Sequence, residues 1–123
     1  MIKESYVSYE VSKLLKEKGF NEKTFTFYIK GQPYNLQHNF RGNKFSNSEM
    51  ENGYSSPTHQ MACAWLREVH NLFILVGWNP IHKEYFTRII NMTDGYPKRN
   101  IYEYTDYEDA VEAALKYCLE NLI

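Results

Sequence analysis

The sequence predicts an α+β fold: a small antiparallel sheet of about four to five strands packed by three helices, in the order α-β-β-α-β-β-β-α. Three observations predict it. Three segments carry apolar residues at helical spacing, the runs between them alternate or are solidly apolar over strand lengths, and the strand connections are too short for parallel crossovers. The composition suits such a fold, since 43% hydrophobic and 24% charged residues mark an ordinary globular chain. At 123 residues the chain has the size of a single domain, so one domain over residues 1–123 is expected, with a polar loop near 41–56.

The first helix is expected from Tyr6 to Lys18, where Val7, Val11, Leu14 and Leu15 share one face. Gly19 ends it, and Phe20 should fold back on Leu15. Thr24 to Lys30 alternates as a half-buried strand, Gly31-Gln32-Pro33 turns the chain, and Tyr34, Leu36, His38 and Phe40 alternate in a returning strand. From Arg41 to Ser56 the chain is polar, turn-rich and without apolar period, which reads as a long surface loop.

Ser56 is the expected N-cap of the second helix, with Pro57 at its first position. Met61, Ala62, Trp65, Leu66 and Val69 form its apolar face. Leu72 to Trp78 is apolar on both alternating faces, as in a central strand, and Asn79-Pro80 breaks it. Glu84 to Met92 returns, Thr93-Asp94-Gly95 turns, and Ile101 to Tyr104 adds a short strand. The last helix opens on a capping-box pattern from Thr105 to Glu108 and carries Tyr107, Val111, Ala114, Leu115, Cys118, Leu119 and Leu122 on one face. The core is expected to contain Trp65, Leu66, Ile74, Val76, Val111, Leu115 and Leu119.

Several function classes are disfavoured at once. No apolar run approaches the roughly 20 residues of a membrane span, and the first residues lack a signal-peptide pattern, so a cytoplasmic protein is expected. Two cysteines, Cys63 and Cys118, suit a reducing compartment. Fourteen Lys and Arg against fifteen Asp and Glu, a net charge of −1, provide no global attraction for phosphates or anionic lipid. The chain has no Gly-rich phosphate loop, metalloprotease helix or nucleophile elbow.

His59, Cys63 and His70 fall near one another on a helical wheel, and the first two are one turn apart. A closed metal site needs three or four ligands and a nucleophile pair needs an orienting third group, and neither completion is evident. No catalytic residue, metal or cofactor is therefore assigned, and a metal-dependent or cysteine-based enzyme using these three residues stands as a second alternative.

Residues 57–123 resemble double-stranded RNA-binding domains in their order of elements, helix, three strands, helix. Such domains hold phosphates with basic residues at the start of the last helix, whereas Asp106, Glu108 and Asp109 stand there in this chain. A single-stranded nucleic-acid surface is the first alternative: Lys83, Arg88, Tyr96, Lys98 and Arg99, near Trp78, His82 and Tyr85, flank the hairpin turns.

Seven Phe, eleven Tyr and two Trp exceed what one small core comfortably absorbs, so some rings should lie at the surface and meet a partner. The favoured reading is a non-enzymatic protein-interaction module whose contact residues are Phe45, Met50, Tyr54, Trp78, His82 and Tyr85, with self-association a further expectation. Three stretches, 6–20, 56–71 and 107–121, resemble a group of short uncharacterised proteins from gut bacterial genomes and prophage-like regions. That resemblance implies a small accessory protein of a mobile element and carries no assigned activity.

Overall fold

Ser8 begins the first helix by accepting a hydrogen bond from the Val11 N–H on its side-chain oxygen at 3.2 Å, so α1 runs Tyr9–Glu17 in the computed structural model, which describes residues 2–39 and 42–123. Tyr6 and Val7 are not helical: Tyr6 bridges to Thr58, and the Val7 N–H donates to the Pro57 carbonyl at 3.0 Å. The expected ending is present. Gly19 takes a φ of 93°, its N–H donates to the Lys16 carbonyl, the Phe20 N–H donates to the Leu15 carbonyl at 2.9 Å, and Phe20 and Leu15 are both buried.

The chain divides into two compact units, Met1–Thr58 and His59–Ile123. In the first, β1 (Thr26–Ile29) lies between β2 (Leu36–His38) and β3 (Gly53–Ser55), antiparallel to both. Tyr28 stands opposite Leu36 on one side and Tyr54 on the other. Thr26 and Tyr28 are buried while Phe27 and Ile29 are half-buried. Tyr9 of α1 meets Tyr28 and Tyr54 edge to face, with ring centroids 5.6 and 5.5 Å apart. Phe40 and Arg41, the expected strand end and loop start, lie outside the described residues.

In the second unit, α2 (His59–His70) leads through Asn71, at φ 55°, into a meander of β4 (Leu72–Asn79), β5 (Glu84–Asn91) and β6 (Pro97–Tyr104), followed by α3 (Tyr107–Asn121). Both helices pack on this sheet. Ala62, Trp65, Leu66, Leu72, Ile89, Ala110, Val111, Ala114, Leu115, Cys118 and Leu119 are buried.

The α+β class and the expected order of elements are present, with β3 added and the strands divided between two three-stranded sheets. Besides the later start of α1, four details differ from expectation. Ser56 is not the N-cap of α2 and Pro57 is not its first residue. The Ser56 N–H donates to the Thr26 carbonyl of β1 and its hydroxyl to the Val7 carbonyl at 2.9 Å, while the Pro57 carbonyl accepts from the Val7 N–H, which ties both residues to the first unit. The strand from Leu72 is an edge strand, because the meander places β5 between its neighbours, and Ile74 and Val76 are accordingly only half-buried. The cap of α3 moves one residue, to Asp106, whose Oδ1 accepts from the Glu108 and Asp109 N–H groups. β6 begins at Pro97, four residues earlier than expected, because Pro97 to Asn100 gain their order by pairing with Ile90, Ile89 and Arg88.

Candidate interaction surface

The expected contact residues separate into two sets with different surroundings. Phe45, Met50 and Tyr54 belong to the first unit, where the segment after residue 42 is ordered by its polar side chains. Asn47 is buried; its Nδ2 donates to the Phe20 carbonyl and its Oδ1 accepts from the Ser55 N–H, both at 2.8 Å. Ser46 and Glu49 form a capping box around a short 3-10 helix, Asn47–Glu49. The bonds from the Ser46 N–H and hydroxyl, ahead of the nearby Lys23 charge, hold the Glu49 carboxyl below its ordinary value.

Phe45 exchanges backbone hydrogen bonds with Thr24 at 2.9 and 3.0 Å. The Lys16 ammonium donates to the Met50 and Gly53 carbonyls at 2.6 and 2.9 Å and sits over the Tyr54 ring. Phe45, Met50 and Tyr54 are all half-buried. Phe45 and Met50, with Phe27, Gln37, His38, Asn39 and Glu49, line an open cleft of about 440 Å³.

Trp78, His82 and Tyr85 belong to the β4–β5 hairpin end of the second unit. The sequence builds that end with an Asx turn: Asn79 Oδ1 accepts from the Ile81 N–H at 3.0 Å and the His82 N–H at 3.3 Å, and Lys83 takes a φ of 52°. Trp78 and Tyr85 are register partners with ring centroids 4.8 Å apart. Tyr85 in turn meets Tyr107, from the first turn of α3, at 5.6 Å and 88°. Trp78 is 48%, Ile81 84% and Tyr107 47% exposed, and His82 is also exposed. The first turn of α3 beside Tyr107 is acidic, and a side-chain hydrogen bond with Glu108, followed by the Asp109 and Glu108 N–H groups, holds the Asp106 carboxyl below its ordinary value.

The basic and aromatic residues of the nucleic-acid alternative are not brought together. Lys83 lies in the β4–β5 turn, whereas Tyr96 and Lys98 lie by the β5–β6 turn at the opposite end of an eight-residue strand, a span of about 26 Å. Lys98 pairs with Asp94 at 2.8 Å. Arg99 stacks over the Tyr117 ring of α3 at 5.3 Å. Arg88 lies on the other face of the sheet and donates to Asn100 Oδ1 at 3.2 Å.

His59, Cys63 and His70 are separately engaged. His59 Nε2 lies 2.9 Å from Glu112 Oε1, and the His70 ring stands edge-on to Trp65 at 4.8 Å. Burial pushes the Cys63 thiol up to about 11 and that of Cys118 to about 12, so both stay protonated at neutral pH, the reverse of what a nucleophile needs. Among the described residues no three His, Cys, Asp or Glu side chains are grouped to hold a metal ion. No helix among them is long and apolar enough to cross a membrane.

Sequence reasoning missed three residues that organise these regions. Tyr107 is placed by helical periodicity on the apolar face of α3, but its place in the first turn leaves it half exposed beside Tyr85. Asn47 and Lys16 carry no periodic signal, because their work is to satisfy backbone groups far away in sequence. No family model, curated protein or solved structure matches the chain.

Proposed function

We propose that this chain is a non-catalytic protein-interaction module whose contact surface is the corner formed by Trp78, Ile81, Tyr85 and Tyr107. The observation that carries the reading is the edge-to-face row Trp78–Tyr85–Tyr107, in which strand pairing sets Trp78 opposite Tyr85 while the row stays half open to solvent, with the exposed Ile81 in the adjoining turn. Trp and Tyr are the residues that dominate interface energetics, because they present large area with few torsions to freeze. The acidic first turn of α3 favours a partner with an apolar anchor and a basic flank over one bearing phosphates. The resemblance of the three helical segments supports a small accessory protein of bacterial or prophage origin, and the two protonated, unpaired thiols suit work in the cytoplasm.

The test is affinity capture from a bacterial lysate with the wild-type chain and with Ile81→Ser/Tyr107→Ser, both checked for unchanged circular dichroism. Proteins retained by the wild type and lost from the double variant support the reading. An identical retained set, or retained material that is nucleic acid released by moderate salt, contradicts it.

A further inference from the structure

The edges of the two sheets are guarded unequally. An edge strand offers unpaired N–H and C=O groups to any other strand, and proteins suppress this with short strands, charges, prolines or bulges. In the first unit both edges, β2 and β3, are three residues long. In the second, β6 carries Pro97, Lys98, Arg99 and Glu103, and its pairing with β5 is broken by two register shifts.

β4 has none of these devices. Its eight residues, Leu72-Phe-Ile-Leu-Val-Gly-Trp-Asn79, include no charge and no proline, and its register with β5 is unbroken from Leu72 opposite Asn91 to Asn79 opposite Glu84. Among the described residues no strand pairs with its outer side and no backbone hydrogen bond reaches that side. The one glycine of β4 is covered as well. The Phe86 ring lies over Gly77 so closely that a Cβ there would stand 2.2 Å from Cζ, so the ring fills the gap that glycine leaves in the strand.

We propose that β4 is the seam of a homodimer, in which a second copy adds its own β4 antiparallel about a two-fold axis perpendicular to the sheet. Keeping the helix-bearing faces of both copies on one side requires a register centred on a residue. Centred on Leu75, near the middle of the strand, this places Leu75 opposite itself, Ile74 opposite Val76, Phe73 opposite Gly77 and Leu72 opposite Trp78. Every pair is uncharged, so the strand is complementary to itself, which a closed two-fold contact demands. The product is a continuous six-stranded sheet. The guarded β6 edges then lie outermost, which stops further addition.

The seam shares Trp78 with the aromatic corner but includes neither Ile81 nor Tyr107, so Ile81→Ser/Tyr107→Ser should leave it intact. The experiment is analytical ultracentrifugation from micromolar to millimolar protein, with Leu75→Lys as the seam variant and Met92→Lys, an exposed position in another turn, as control. The wild type and the control should reach the mass of two chains, and Leu75→Lys, which sets like charges opposite each other, should stay at one. Should Leu75→Lys fail to fold, amide exchange of the wild type at two concentrations replaces it. All β4 amides should be protected when concentrated, and alternate ones should lose protection on dilution. A wild type of one-chain mass throughout, open-ended growth beyond two chains, a dimeric Leu75→Lys, or β4 exchange unchanged by dilution overturns the proposal.

Discussion

Residues 42–56 of the first unit turn a polar side chain, Asn47, inward onto backbone groups, whereas residues 79–83 of the second unit turn an apolar side chain, Ile81, out into water. The first segment is held at both ends and in its middle: Phe45 pairs with Thr24, Asn47 joins Phe20 to Ser55, and Lys16 clamps Met50 and Gly53. The second is held by one side chain, Asn79, and by the strands that enter and leave it. Two turn-rich stretches thus serve different ends. A buried hydrogen-bond network makes the first a structural part of its sheet, and the second, held by the Asn79 side chain, keeps an exposed apolar tip.

The comparison can be broken most severely at Asn47. Asn47→Ala removes one bond from the Phe20 carbonyl and takes the acceptor from the buried Ser55 N–H, an expected loss of about 2–4 kcal/mol in urea unfolding. Lys16→Met keeps the stem but removes the ammonium from two carbonyls and from the Tyr54 ring, and about 1 kcal/mol should be lost in the same measurement.

Acid should weaken the same segment through Glu49. Its carboxyl titrates below the ordinary 4.5 in the folded chain, so its contribution is complete above that value and disappears as pH falls through the lower folded value. Glu49→Gln should therefore lower the thermal midpoint at neutral pH and flatten its decline in acid, as followed by circular dichroism. The smallest change is expected at the second unit's tip, where Ile81→Ser should shift stability by no more than about 0.5 kcal/mol. A large loss there would make Ile81 part of a core and remove the contrast.

Local signals were legible where the physics is local. Gly19 followed by Phe20 specifies the ending of α1, since glycine alone reaches the left-handed turn without penalty and Phe20 has a buried neighbour in Leu15. The start of α3 was legible to within one residue. Thr105 and Asp106 are both competent caps, and Asp106 prevails by reaching two N–H groups with one oxygen.

Non-local order was not legible. β3 is three residues, Gly-Tyr-Ser, that owe their strand conformation to β1 and Asn47 rather than to any pattern of their own. β4 reads as a central strand because both its faces are apolar, but strand order is a property of the connections, and two tight hairpins oblige β5 to take the middle. Of the candidate surface, Trp78, His82 and Tyr85 were legible from their place at a turn. Tyr107 was not, because a helical wheel shows which face a residue occupies and not whether the first turn overhangs the sheet.

The contrast between the two segments is tested most directly by residue-resolved amide hydrogen exchange on the wild-type chain. The Phe45 and Ser55 amides, bonded to the Thr24 carbonyl and to Asn47 Oδ1, should be protected to the same degree as those of β1, while the Ile81 and His82 amides in the exposed turn exchange near the unprotected rate. Phe45 and Ser55 exchanging as fast as Ile81 would contradict the account, for it would make residues 42–56 the free surface loop that their composition suggests.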